Sequence, residues 1–226
     1  MQGIQQGIYI LDLQMIPNKP LVSIIIPTCN RPEYLIRSIK SVISQTFSFW
    51  ECIIIDDCSK VSAKKVLKEF LELDKRFKII KNSTPKFASE ARNIGIRSSQ
   101  GFYIAFLDDD DYWHSEKLQK QINFMQRNKY KVSYCWAYIL KKNDEITVRE
   151  PYLEGNIFDL MLAGQPLCNC STLIAEKKVI EDIGGFNKLL RRGNDGDLIR
   201  RLSQFHHIGL LKEKLVYYQV ETKGLN

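Results

Sequence analysis

The chain has 226 residues, 44% of them hydrophobic and 26% charged, and carries a formal net charge of +7. That is enough sequence to bury one sizeable core, and the composition excludes collagen-like, low-complexity and disordered chains. Apolar runs such as Ile24-Ile25-Ile26 and Ile53-Ile54-Ile55 fall far short of the roughly 20 residues that a bilayer-spanning helix needs. Residues 1–20 are expected to be an N-terminal extension. They have no basic start, and Asp12 breaks their apolar stretch, so they do not read as a secretory signal. The expected location is cytoplasmic, with room for peripheral contact at the inner face of a membrane. The positive charge implies attraction to anions or a merely solvated basic surface, and no interleaving of basic and aromatic residues points to nucleic acid. The six cysteines (29, 52, 58, 135, 168, 170) form no Cys-x-x-Cys pair, and the sequence reads them as free thiols.

From residue 21 strand and helix patterns alternate, which predicts an α/β fold with a parallel sheet. Leu21 to Pro27 reads as a short buried strand. Asn30-Arg31-Pro32-Glu33 supplies a cap residue, an early Pro and a Glu three places on, so a helix should follow with Leu35, Ile39, Val42 and Ile43 on one face. A second strand, Cys52 to Ile55, ends at Asp56-Asp57, and Val66, Leu67, Phe70 and Leu71 mark the next helix. Phe77 to Ile80 is a third strand, Ser89 to Ser99 a helix, and Phe102 to Leu107 a fourth strand running into Asp108-Asp109-Asp110-Asp111. Beyond it the pattern predicts a helix over Ser115–Arg127, a strand over Val132–Leu140, a polar turn at 141–145, a helix over Asp197–Phe205 and a closing strand near Leu215–Val220. No Pro/Gly/Ser-rich linker separates the halves, so residues 21–226 are expected to form one domain, with a nucleotide-binding half (21–111) and an acceptor half (112–226).

In an open parallel sheet, ligands collect beyond the carboxyl ends of the strands. Here those ends carry Pro27-Thr28-Cys29-Asn30-Arg31, Asp56-Asp57 and the four-Asp run. Each piece alone has an ordinary structural reading: Asn30 as a helix cap, Asp56-Asp57 as a turn, the Asp run as a solvated loop. The run is the hardest to explain that way. Four adjacent carboxylates after a buried strand repel one another unless a cation sits among them, and Mn²⁺ or Mg²⁺ suits oxygen ligands shared with substrate phosphates.

Five stretches in order, VSIIIPTCNRPEYLIRSIKSVISQTF, IIIDDCS, EARNIGI, GFYIAFLDDDDYW and GGFNKLLRRGNDGDLIRRL, resemble the catalytic core of the family 2 glycosyltransferases, which have the GT-A fold. The resemblance runs from residue 21 to about 220. It implies that Pro27, Thr28, Asn30 and Arg31 line the base and ribose of a nucleotide-sugar, and that Asp57 accepts a hydrogen bond from a uracil-type ring. Cys29 stands where the family commonly has Tyr, which removes a stacking face. Arg92 and Asn93 match the family's Ala-Arg-Asn element, in which the Arg neutralises diphosphate or holds the Asp cluster. Asp108-Asp109-Asp110 matches the Asp-x-Asp motif, with Asp110 as metal ligand and Asp109 or Asp108 bonding the ribose or a metal-bound water. The general base implied is Asp195; Asn194 replaces the Glu usual before it, and Asn cannot take a proton. The competing structural reading is that Asn194, Asp195 and Asp197 cap the helix that begins there.

Tyr217-Tyr218-Gln219-Val220-Glu221 occupies the place of a common Tyr-Arg-x-His element and lacks both the Arg and the His. Trp113 is open between stacking on an acceptor sugar and core packing. The resemblance implies an inverting, non-processive transferase moving a hexosyl or hexosaminyl group from a nucleotide-diphosphate sugar, UDP-linked by expectation, to a glycan, lipid-linked or protein-linked acceptor in polysaccharide biosynthesis. Two rivals were open to the sequence. A sugar nucleotidyltransferase should carry a Gly-rich loop after the first strand, and Pro27 to Arg31 contains no Gly. A non-catalytic nucleotide-sugar or glycan-binding protein would have no need of both Asp110 and Asp195.

Overall fold

The computed structural model describes residues 20–141, 145–164 and 169–220. The expected extension, apart from residue 20, lies outside them, as do the middle of the expected polar turn, Cys168 and Glu221.

The first half forms as its hydrophobic pattern dictates. Strands β1 (Val22–Thr28), β2 (Trp50–Asp56), β3 (Phe77–Lys81) and β4 (Tyr103–Phe106) pair in parallel in the order β3-β2-β1-β4. Alternate residues of β1 face opposite layers: Ile24 and Ile26 pack with Leu35, Ile39 and Val42 of helix α1 (Pro32–Ile43), and Ile25 packs with Ala91 and Ile96 of α4 (Phe87–Ser98). Continuous apolar runs are what a sheet covered on both faces requires. At Gly95 a Cβ would come within 2.5 Å of the Ile25 side chain, so the missing side chain is what lets α4 close on β1. Between β2 and β3 the expected single helix is broken into α2 (Ala63–Val66) and α3 (Lys68–Leu73).

Past β4 the same sheet continues with a change of direction. Strand β8 (Ile174–Glu176) runs antiparallel to β4 and to β6 (Val132–Leu140), β6 pairs in parallel with β9 (Ile208–Gln219), and β9 pairs antiparallel with the two-residue β5 (Tyr112–Trp113). A hairpin partner, β7 (Ile146–Arg149), adds to β6. Helix α5 (Lys117–Asn128) buries Leu118, Ile122 and Met125, and α8 (Asn194–Ser203) buries Leu198, Ile199 and Leu202. Two short helices, α6 (Phe158–Leu162) and α7 (Lys177–Asp182), complete the second half. The last long helix thus starts three residues before the expected Asp197, and Phe205, expected on its apolar face, lies beyond it and is exposed. Ile43, expected on the inner face of α1, is likewise exposed.

Five cysteines are described and all five are free thiols, as expected. Among the described residues no helix is long and apolar enough to cross a membrane.

Candidate active site

In the order β3-β2-β1-β4 the connections leave β1 to one side and reach β4 on the other, so the carboxyl ends of β1 and β4 flank a crevice. The loops after these two strands meet there. Thr28 Oγ1 donates to Asp109 Oδ2 at 2.7 Å, and the Arg31 guanidinium reaches Asp110 Oδ2 at 2.7 Å and Asp109 Oδ1 at 3.4 Å. Asn30 does not cap α1, contrary to expectation. It adopts a left-handed φ of 56°, its Oδ1 accepts from Lys60 N, and its own N–H donates to Ser59, so it ties the β1 loop to the β2 loop. Arg31 takes the cap position with no side-chain cap bond, and Pro32 begins the helix.

The two aspartates after β2 divide. Asp56 is fully buried and accepts from Ser59 N and Ala63 N, which is the expected turn role. Asp57 accepts Asn82 Nδ2 and Lys86 N on Oδ1 and Phe87 N on Oδ2, each at 2.8 Å. With one lone pair of Oδ2 left over, the carboxylate can accept one further N–H from a ligand.

Arg31 serves both middle members of the four-Asp run, and other donors hold its two ends. Asp108 pairs with Arg92, whose guanidinium also lies 3.3 Å from Asn194 Oδ1 and 3.8 Å from Asp195 Oδ1. Arg92 is only 4% exposed, so of the two roles the resemblance allows it, this geometry is that of holding the acidic cluster. Asp111 accepts Ser171 Oγ at 2.5 Å, Asn169 Nδ2 at 3.2 Å and Gln219 N at 2.9 Å. Arg37 donates to the Asp110 carbonyl and stacks over Tyr112 at 4.8 Å. Burial, reinforced by neighbouring carboxylates, pushes Asp109 up to about 7 and raises Asp110 and Asp111 as well. Crowded carboxylates raised in this way are a site that gains from a cation. Among the described residues no three His, Cys, Asp or Glu side chains are grouped as a ready cage. The donor set, carboxylate oxygens crowded in one loop, is of the type that a hard divalent cation such as Mg²⁺ or Mn²⁺ takes.

Asp195 approaches from the other half. Gly193, at φ 67°, is the N-cap of α8, and no side chain caps that helix. Asp197 is tied to Arg200 and Arg201 at 2.9 and 2.7 Å. Among the described residues the Asp195 carboxyl accepts the Cys170 N–H at 3.1 Å and lies beside the Cys170 thiol and Arg92, and its side chain is 24% exposed. It is thus the acidic group at this end of α8 that remains open to solvent. The Gly184-Gly185-Phe186 stretch supports this corner: Phe186 N donates to Asn93 Oδ1 and Asn93 Nδ2 to Phe186 O, at 2.8 and 2.9 Å. Gly185 has φ 70°, and a Cβ there would meet Asn93 Oδ1 at 2.6 Å. Trp113 is core: it is 3% exposed, and its Nε1 donates to Ser171 O.

This arrangement places the four-Asp loop opposite the Asp195 carboxylate, with the buried Arg92 between them. The family model described as "Glycosyl transferase family 2" matches residues 23–193, most of the chain, and ends just short of Asp195. The chain belongs to this family. Relatives include an uncharacterised glycosyltransferase of Methanocaldococcus jannaschii, 28% identical over 216 residues that cover 91% of this chain and 73% of that one. Another is the Escherichia coli UDP-Glc:alpha-D-GlcNAc-diphosphoundecaprenol beta-1,3-glucosyltransferase WfaP, 37% identical over 165 residues, 72% of this chain and 63% of that one. Among solved structures, S. aureus TarS in complex with UDP-GlcNAc superposes with a TM-score of 0.74 at 18% identity, covering 90% of this chain and 59% of that one, which establishes the GT-A-type fold. Against other curated relatives, the chain spans about half their length.

Sequence reasoning passed over Arg37, Asn169 and Ser171 in this family 2 site. Arg37, a basic residue on an amphipathic helix, carried at most a faint signal; Asn169 and Ser171 carried none, because their bonds join segments about 60 residues apart.

Proposed function

We propose that the chain is an inverting, non-processive glycosyltransferase. It moves a hexosyl or hexosaminyl group from a UDP-sugar to a hydroxyl of a glycan, lipid-linked or protein-linked acceptor, with Mn²⁺ or Mg²⁺ at Asp110. The observation that carries this reading is the solvent-open Asp195, which caps no helix and faces the acidic loop across Arg92. The name of the WfaP relative, which specifies a UDP-Glc donor and a diphosphoundecaprenol-linked acceptor, favours UDP and a lipid-linked acceptor.

In the proposed reaction Asp195 takes the proton of the acceptor hydroxyl as its oxygen bonds to the anomeric carbon from the face opposite the diphosphate. The bond from that carbon to the diphosphate oxygen breaks, and UDP leaves with the electron pair. One displacement inverts the configuration. When bound, the cation would supply charge against the leaving diphosphate. Thr28 and Arg31 hold the loop that receives the nucleotide, Asp57 offers an acceptor to the base, Pro27 and Asn30 shape that loop, Asp109 faces the ribose side, and Asp108 with Arg92 fixes the acidic run against Asp195. The proposed location is cytoplasmic, with a lipid-linked acceptor met at the inner face of a membrane.

The test is turnover of a panel of UDP-sugars with Mn²⁺, with the anomeric configuration of the product read by NMR. An inverted product is expected. Retained configuration overturns the single displacement, and tight UDP binding without turnover of any sugar favours the non-catalytic binding alternative.

A further inference from the structure

The acidic loop and Asp195 belong to opposite halves of the sheet, and one short turn touches both. Cys170–Thr172 forms a single 3₁₀ turn with Asn169 before it. On its donor side it is fastened at four points: Asp108 N–H donates to Ser171 Oγ at 3.0 Å, Ser171 Oγ–H donates to Asp111 Oδ2 at 2.5 Å, Asn169 Nδ2 donates to the same oxygen at 3.2 Å, and Trp113 Nε1 donates to Ser171 O at 2.8 Å. On its other side the Cys170 N–H donates to Asp195 Oδ2 at 3.1 Å. Ser171 is fully buried, and its hydroxyl acts as acceptor toward the first Asp of the run and donor toward the last. The loop's two ends are therefore locked by one side chain, and the residue just before it on the turn, Cys170, holds the proposed base.

We infer that the 169–172 turn is a spacer fixing the separation of the donor-holding loop from Asp195, and that Ser171 is its positioning residue, with Asp111 as anchor and Asn169 as brace. The inference rests on the proposed reading of Asp195 as base. Ser171 touches no reacting atom in this scheme; it acts through Cys170. A carboxylate that must meet a hydroxyl in line with a departing diphosphate tolerates little displacement, and a misplacement of about 1 Å can lower turnover roughly 10²-fold.

The test compares Ser171→Ala and Asn169→Ala with the unaltered chain. Three quantities are measured: UDP binding with Mn²⁺ by calorimetry, turnover of UDP-glucose, and exchange of the Cys170 amide followed by NMR. Ser171→Ala is expected to lower kcat about 10- to 100-fold while the affinity and stoichiometry for UDP stay within about twofold, and to speed Cys170 amide exchange at least tenfold. Asn169→Ala, at a partly exposed position with a single bond to lose, should fold normally and move each quantity the same way by a smaller factor. Reintroducing a hydroxyl with Ser171→Thr should recover most of the loss. A purely structural Ser171 would instead lower UDP stoichiometry in step with turnover, and that result overturns the inference, as does unchanged Cys170 exchange in both variants. If the unaltered chain does not turn over UDP-glucose, glucose is not the transferred sugar, yet Cys170 exchange still decides whether the turn holds Asp195.

Discussion

Asp195 and Asp197 sit two positions apart at the start of one helix, and the fold gives them unlike surroundings. Asp197 is buried against Arg200 and Arg201, whereas Asp195 keeps one backbone donor and a partly open face. Asp195→Asn preserves shape but cannot accept a proton, so transfer should fall by something like 10²- to 10⁴-fold at saturating donor while UDP affinity survives. Turnover close to normal in a stably folded variant removes Asp195 as base. For the acidic run the expectations separate by partner. Asp110→Asn removes the charge offered to a cation and should abolish Mn²⁺-dependent UDP affinity in calorimetry, whereas unchanged affinity takes Asp110 out of the metal site. Asp108→Asn should disturb metal binding less and stability more, because it leaves the buried Arg92 guanidinium with a neutral partner. A loss on the order of 2 kcal/mol in denaturant unfolding is expected.

At the scale of elements, α5 opens with an unusual residue. Lys117 is fully buried, its Nζ lies 4.0 Å from the Trp113 ring of β5, and it has no hydrogen-bond partner among the described residues. Burial pulls its ammonium down to about 7 from the usual 10.5. Below pH 7 folded and unfolded chains both carry the proton, and the full desolvation cost weighs on the fold. Between pH 7 and about 10.5 the unfolded chain binds a proton that the folded chain does not, so this group makes stability rise with pH across that window and level off above it. Lys117→Met should stabilise the protein by about 1–4 kcal/mol at neutral pH and flatten that rise, as seen in denaturant midpoints from pH 6 to 10. A destabilised variant would mean that the Trp113 contact outweighs desolvation. Elements were legible where burial imposes a period. Ile24 to Ile26 and Cys52 to Ile55 announced strands, and Leu35, Ile39 and Val42 announced a helix. The two-residue β5, three-residue β8 and hairpin strand β7 went unread, since so short a segment shows no period and exists only through its partners. The break at Leu67 between α2 and α3 is likewise a tertiary outcome: that residue is buried, and its backbone leaves helical geometry.

For the whole molecule, the same contrast separates the parts of the site. Asp57 and the Asp run could be marked from sequence because each follows a strand end, whereas Asp195 stood out only through the family resemblance. Their connection through Arg92, Ser171 and the Gln219 amide could not, because these bonds link residues from 16 to 108 positions apart. The Ser171 and Gln219 bonds, with the Arg92 contacts to Asn194 and Asp195, tie the parallel half to the mixed half at the crevice, so a ligand seated there should stabilise the chain as one unit, with a single unfolding transition. At a free UDP concentration 100 times Kd the gain is about 2.7 kcal/mol, and for a chain of this length each kcal/mol moves Tm by roughly 2–4 °C. UDP with Mn²⁺ should therefore raise Tm by about 5–10 °C in scanning calorimetry, and the same UDP with a chelator should raise it much less, since the cation proposed at Asp110 is then missing between protein and diphosphate. Equal shifts with and without Mn²⁺ would take the metal out of donor binding. A shift confined to one of two resolved transitions would show that the halves unfold separately, and that the bonds of Arg92 and Ser171 do not couple them.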